Sequence, residues 1–198
     1  MPPMRPPGRR APEENRDDRL SRFLALILRH KPESVGIELD PSGYADLDAV
    51  AAAVAGQPGW SWVTAEAIRK LAQRDVRRYE LSGTRLRARY GHTVPIEAPG
   101  VPVVPPEWLY HGAPPASLER MRAAGLLPHD RQFVHLSATR QDALAVAQRH
   151  SPDAVVVTVL ARRASETGIA FYQASPGLYL TRAVPAQFLR LPNSAPDA

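Results

Sequence analysis

The chain has 198 residues, 44% of them hydrophobic, with 25 Lys+Arg against 20 Asp+Glu and a net charge of +5. It contains no cysteine, which excludes disulfides, thiolate metal sites and a cysteine nucleophile. Six histidines are present without a His-x-x-x-His pair, so no metal site is expected; no apolar run approaches the ~20 residues of a membrane span. The Pro- and Arg-rich start lacks the apolar core of a signal peptide, and the expected location is the cytoplasm.

Residues 1–17 open with MPPMRPPGRR, which can bury nothing and is expected to form a disordered arm. A helix is predicted from about Asp18 to His30, because Leu20, Phe23, Leu24, Ile27 and Leu28 recur at helical spacing and Pro32 ends it. Asp40-Pro41-Ser42-Gly43 reads as a turn. Further helices are predicted over Leu47–Ala55 and from a Thr64 cap to about Arg74. Tyr79–Leu81 and Leu86–Tyr90 flank Ser82-Gly83-Thr84 as a hairpin. Three helices and a hairpin point to a winged helix over 18–93. The stretch Glu66–Arg89 carries eight basic and three acidic residues, which suits either a nucleic-acid backbone or a solvated face.

Residues 94–107 hold five prolines and read as a linker. The segment 108–192 reads as mainly β. Strands are predicted at Trp108–Gly112, Phe133–Ser137, Ala154–Leu160, Ile169–Tyr172 and Leu178–Leu180. Helices are predicted over Ser117–Ala124, closed by Gly125, and Thr139–His150. Val184-Pro185 leads into a last segment ending near Leu191, and residues 193–198 are expected to be a frayed tail. The fold class is α+β. No apolar stripe is left over for association, so a monomer is expected.

Four short runs could carry chemistry. Arg29-His30 falls in the last turn of the first helix, where cations complement the helix dipole or could grip an anion. Arg77-Arg78-Tyr79 enters the hairpin either as a solvated pair or as a functional one. His111-Gly112 follows an apolar strand, either as a turn or where a ligand lies against the backbone. Alternation puts Arg131, Phe133, His135 and Ser137 on one strand face, an unusual set for a core. There is no GxGxxG and no P-loop, so a dinucleotide would need another kind of fold.

In order along the chain, these runs resemble the RNA 2′-phosphotransferase family. The matching pieces are Leu20-Ser21-Arg22 with Leu28-Arg29-His30, Gly43-Tyr44 with Asp46-Leu47, and Asp75 with Arg78-Tyr79. They continue as Arg87-Ala88 with Gly91-His92-Thr93, Leu109-Tyr110-His111-Gly112, Gly125-Leu126, and Arg131 with Val134-His135-Leu136-Ser137. Gly177-Leu178-Tyr179-Leu180-Thr181 and Val184-Pro185 close the series.

The resemblance implies an N-terminal winged-helix lobe that binds RNA and a C-terminal ADP-ribosyltransferase-like lobe that binds NAD⁺, with no metal. The implied reaction transfers an internal RNA 2′-phosphate to NAD⁺ through an ADP-ribosylated RNA. It leaves 2′-OH RNA, nicotinamide and ADP-ribose 1″,2″-cyclic phosphate. The family's four essential polar positions fall on Arg29, His30, Arg78 and Arg131: the arginines for phosphate, His30 for the proton of the second step. His111, Gly112, His135, Ser137 and Leu178 fall on NAD⁺-site positions. Arg69, Lys70, Arg74, Arg77, Arg87 and His92 are the expected RNA contacts. The chain departs from the family pattern at Val76, Tyr90, Ala113, Phe133 and Pro176. Two rivals share features: an ADP-ribosyltransferase capping phosphorylated RNA or DNA ends, and a winged-helix binder without catalysis.

Overall fold

The computed structural model describes residues 12–97 and 99–192; the expected arm over 1–11 and the tail over 193–198 lie outside the described residues. Helix α1 spans Pro12–Arg29 and so takes in residues 12–17, which had been expected in the arm. Proline suits a first helical position, where its missing N–H would be unpaired in any case. Beyond it the extension has partners: Asp17 pairs with Arg74 at 2.5 Å, and Arg16 lies 5.8 Å from the Trp62 ring centroid.

Helices α2 (Leu47–Ala55) and α3 (Ala65–Arg74) form where predicted. Both start on a side-chain cap: Asp46 Oδ1 accepts from the Ala49 N–H at 2.9 Å, and Thr64 Oγ1 from the Ala67 N–H at 3.2 Å. Strands β1 (Tyr44–Asp46), β2 (Tyr79–Ser82) and β3 (Arg85–Ala88) make a three-stranded antiparallel sheet in the order β1-β3-β2. The hairpin was predicted; β1 was not, because three residues carry no period and form a strand only by pairing Tyr44 with Arg87 and Asp46 with Arg85. A core of Leu20, Leu24, Ile27, Leu28, Ile68 and Leu86 joins this sheet to α1 and α3.

The second sheet has six antiparallel strands in the order β7-β8-β5-β4-β6-β9. They are β4 (Leu109–Ala113), β5 (Val134–Ser137), β6 (Val155–Val159), β7 (Tyr172–Ser175), β8 (Leu178–Thr181) and β9 (Leu189–Arg190). Helices α4 (Leu118–Ala124), α5 (Arg140–Ala147) and α6 (Ala161–Glu166) connect them. Helix α5 ends before the expected His150. Helix α6 was not anticipated: six residues make less than two turns, and its fully buried Ala161 and Ala164 have too little apolar surface to signal a period.

The strand expected at Ile169–Tyr172 forms three residues later, at Tyr172–Ser175. The strand expected from Phe133 begins at Val134, so Arg131 and Phe133 precede it, yet both lie on the side of His135: Arg131 reaches its ring and Phe133 packs on Leu180, its partner on β8. Phe133 is buried with Ile96, Ala174 and Leu180 between the two sheets.

The proline-rich segment is strapped down. The Ile96 N–H donates to Gln132 Oε1 at 3.0 Å, Gln132 Nε2 donates to the Val94 carbonyl at 2.7 Å, and Arg182 Nη2 to the Glu97 carbonyl at 2.7 Å. This strap holds residues 90–97 between the end of α1 and the start of β5. Among the described residues no helix is long and apolar enough to cross a membrane.

Candidate active site

The C-terminus of α1 is capped by the strap instead of by solvent. The N–H groups of Thr93 and Val94 donate to the Arg29 carbonyl at 2.9 and 3.3 Å. Gly91, at φ 86°, turns the chain there. The Arg29 guanidinium lies 4.8 Å from the Tyr90 ring centroid. Its Nε and Nη2 are buried with no hydrogen-bond partner. Burial, and then the charge of Arg78, outweigh its tyrosine neighbours and pull its pKa below the usual arginine value. An arginine stays charged at such a value, so this is a cation with two donors facing no acceptor.

His30 Nδ1 lies 3.1 Å from Thr93 Oγ1, and that hydroxyl donates to the Arg29 carbonyl at 3.4 Å. Thr93 can accept from His30 in the tautomer with the proton on Nδ1, which leaves a lone pair on Nε2. Burial first, then the charges of Arg29 and Arg131, hold His30 below the ordinary histidine pKa. It is therefore neutral near pH 7 and able to accept a proton.

Arg78 sits at the turn from α3 into β2. Its Nη1 donates to Ser21 Oγ, and its Nε lies 3.4 Å from Asp75. The Tyr79 hydroxyl donates to the Ser21 carbonyl at 2.6 Å, locking this corner onto α1.

From the other sheet, Arg131 Nη1 reaches His135 Nε2 at 3.4 Å. His135 Nδ1 is 3.1 Å from the Phe133 carbonyl and must carry the proton, so its Nε2 accepts from Arg131. Burial, followed by Arg131, pushes the His135 pKa to about 3. The Tyr90 ring meets His135 edge-on at 6.0 Å, so one tyrosine touches both Arg29 and His135. The four positions expected to matter, Arg29, His30, Arg78 and Arg131, thus converge from three separate stretches of chain.

Next to them β4 and β5 part. Their ladder holds only at Tyr110↔Ser137, whereas β4 and β6 pair over Leu109–Ala113. Beyond that point His111 Nδ1 reaches across to the His135 carbonyl at 3.0 Å, and burial keeps His111 below the ordinary pKa. Ser137 lies between Tyr110 and Leu178, which it pairs on β8.

Gly112, expected beside a ligand, also carries a packing constraint. A Cβ there would come within 2.3 Å of the Ala143 carbonyl oxygen and 2.5 Å of the Ala147 Cβ. The missing side chain admits α5, and Gly112 lies inside β4 rather than at a strand end.

The expected RNA contacts divide. Arg69, Lys70, Arg74 and the exposed Arg77 lie on or just after α3, with Arg69 and Lys70 near Glu66 at 3.9 and 3.6 Å. Arg87 is committed elsewhere: its side chain is 11% exposed, held to Glu80 at 2.7 and 2.9 Å and lying 4.6 Å from the Tyr44 ring centroid. His92 is 4% exposed beneath the Gly43 turn and does not face solvent. Its Nε2 is buried without a partner, and burial lowers its pKa to about 4.

Tyr90, Thr93 and Gln132 were not among the expected site residues. Thr93 stood within the matching Gly91-His92-Thr93 run, Tyr90 counted only as a departure, and nothing marked Gln132.

The fold and cluster define an α+β protein in which three arginines and an imidazole from separate stretches of chain come together. Residues 15–183 match the RNA 2′-phosphotransferase, Tpt1/KptA family. Proteins named "probable RNA 2′-phosphotransferase" are similar over most of their length. The one from Agrobacterium fabrum is 43% identical over 85% of this chain and 91% of its own. Those from Streptomyces coelicolor (36%; 91% and 98%) and Thermoplasma acidophilum (34%; 93% and 79%) are also alike. The chain belongs to the RNA 2′-phosphotransferase family.

Proposed function

We propose that the protein is an NAD⁺-dependent RNA 2′-phosphotransferase, which takes an internal 2′-phosphate off RNA. The observation that carries this reading is the half-buried Arg29, with two buried and unpartnered donor nitrogens, among Arg78, Arg131 and a neutral His30. A dianionic phosphate would supply the acceptors that Arg29 lacks. In this reading α1–α3 with the first sheet are the winged-helix RNA lobe, and the second sheet is the ADP-ribosyltransferase-like lobe. The parting of β4 from β5 beside uncharged His111 and His135, which do not repel a pyridinium cation, supports a place there for the nicotinamide end of NAD⁺.

NAD⁺ supplies an anomeric carbon bearing a good leaving group, with a neighbouring hydroxyl that can take the phosphoryl group. The residues of the chain do the rest. Arg29, Arg78 and Arg131 neutralise the repulsion between the RNA 2′-phosphate and a pyrophosphate. They are fixed beforehand, so charge building at phosphorus is stabilised without reorganisation. His30 Nε2 accepts the proton of the attacking hydroxyl, and the same proton returns to the RNA 2′-oxygen as its bond to phosphorus breaks. Thr93 can hold the imidazole in the tautomer this needs.

The test combines purified protein, NAD⁺ and a short RNA bearing one internal 2′-phosphate, with products followed by mass. Release of 2′-OH RNA with ADP-ribose 1″,2″-cyclic phosphate is the expected result, and Arg78→Ala should slow it by roughly 100- to 1,000-fold. RNA that gains ADP-ribose and keeps it would replace this reading with the end-capping one. No reaction with NAD⁺ would refute both.

A further inference from the structure

Outside the site, a surface groove of about 520 Å³ runs between α1 and α3, lined in part by Arg16, Asp17, Trp62, Lys70, Leu71 and Arg74. Its volume lies in the ~300–1,000 Å³ range of small-ligand sites. Asp17, Leu71 and Arg74 also line an adjoining hollow that contains Ser21 and Arg78. The two adjoin across the Asp17–Arg74 pair, and the second reaches an arginine of the candidate active site. At its other end, Trp62 lies 6.1 Å from Trp60, which stacks on Phe23 at 5.1 Å. Arg16 and Arg19 sit over the two indoles at 5.8 and 5.4 Å.

The sequence produces this layout simply. Ala67, Lys70, Leu71 and Arg74 recur at i, i+3, i+4 and i+7, so one face of α3 forms the groove wall. Leu71 is buried as its floor while Lys70 and Arg74 stand exposed. The acids present are engaged with these bases, Asp17 with Arg74 and Glu66 with Lys70, in exposed pairs that hold weakly. A phosphodiester can take either base from its carboxylate.

We propose that this groove holds a single-stranded stretch of RNA flanking the 2′-phosphorylated nucleotide. Arg74 and Lys70 take backbone phosphates, and an unpaired base stacks between Trp62 and Arg16. The inference rests on the function proposed above and extends its substrate to an RNA with an unpaired flank. The aromatic end selects the single strand: bases inside a duplex are stacked on one another and offer no free face, while a splayed base stacks on indole or guanidinium whatever its identity.

The test uses the full chain without NAD⁺, so that nothing turns over, and measures binding by anisotropy of labelled RNAs with one 2′-phosphate. One RNA has a single nucleotide on either side, and one has long unpaired flanks. The long RNA should bind more tightly. Trp62→Ala should weaken it by about tenfold, the size of one base–aromatic stack, and leave the short RNA unchanged. Trp62→Phe should restore most of the loss, which separates stacking from any damage to the fold. Lys70→Ala should reduce the salt dependence of the long RNA alone, by roughly 0.7 in log–log slope for one lost phosphate contact.

Equal binding of both RNAs by wild type and variants overturns the inference. So does retention of the Trp62 contribution when the flanks are annealed to a complement. Turnover of the short RNA is read in parallel: if wild type processes it with NAD⁺ while the flanks contribute nothing, the groove is wrong and the activity stands. If neither RNA is processed, the proposed function falls and the groove falls with it; processing of the long RNA alone supports the groove.

Discussion

Arg29 offers the sharpest test, because removing it should make the protein more stable and less active at once. Its Nε and Nη2 are buried with no acceptor, and each buried donor left unmade costs about 1–3 kcal/mol. The contact with Tyr90 returns roughly 0.5–2 kcal/mol. Methionine is unbranched and fills a similar space without charge. Arg29→Met should therefore stabilise the ligand-free protein by about 1–3 kcal/mol, a rise in Tm of roughly 2–4 °C per kcal/mol for a domain of this size. Phosphoryl transfer should fall by at least about 100-fold. The assay is urea unfolding of both proteins, with and without inorganic phosphate. Phosphate should raise the wild-type midpoint by binding the native state, and should leave that of Arg29→Met in place. If Arg29→Met unfolds more readily than wild type and keeps its activity, Arg29 is a structural cation and the anion-site argument is wrong.

Three further outcomes follow from the same geometry. His92 and His135 have folded pKa values of about 4 and about 3, below the unfolded ~6.5, so the unfolded chain binds more protons as pH falls. Stability should be fully present above about pH 6.5 and decline below it, by up to ~1.4 kcal/mol per pH unit for each histidine until its folded pKa is reached. Flat urea midpoints between pH 6.5 and 4.5 would show that these imidazoles are not buried neutral. Gly112→Ala should lose at least about 1–3 kcal/mol in thermal unfolding, because the new Cβ meets the α5 backbone at 2.3 Å; a fully stable variant would mean that α5 sits elsewhere. Arg87→Ala should lose about 1–3 kcal/mol, measured in urea, because Glu80 loses both bonds to Arg87 and keeps Arg89 at 3.3 Å. An unchanged midpoint, with weaker RNA binding instead, would return Arg87 to the RNA surface.

The helices and the hairpin of the first half were legible because of strong local signals: an apolar stripe, a Thr64 cap, a Ser82-Gly83-Thr84 turn. Five of the second sheet's six strands were located to within a few residues; two-residue β9 was not, nor was the strand order, since antiparallel pairing joins segments distant in the chain. Charge and composition marked the basic stretch 66–89 without sorting it. Arg87 and Arg74 look alike in sequence, yet one is clamped between Glu80 and Tyr44 while the other stands in an open groove.

The sequence by itself determined which residues could carry a phosphate and an imidazole proton, because guanidinium and imidazole chemistry belongs to the side chain. It also determined α1, whose end presents Arg29 and His30 wherever it packs. Tertiary structure decided that Tyr90 links Arg29 to His135 and that Thr93 meets the His30 ring. It decided too that Gly112 serves α5. These are matters of distance and desolvation. Burial leaves Arg29 without acceptors and holds His30 neutral, and burial exists only once the strap at 90–97 has closed over the end of α1.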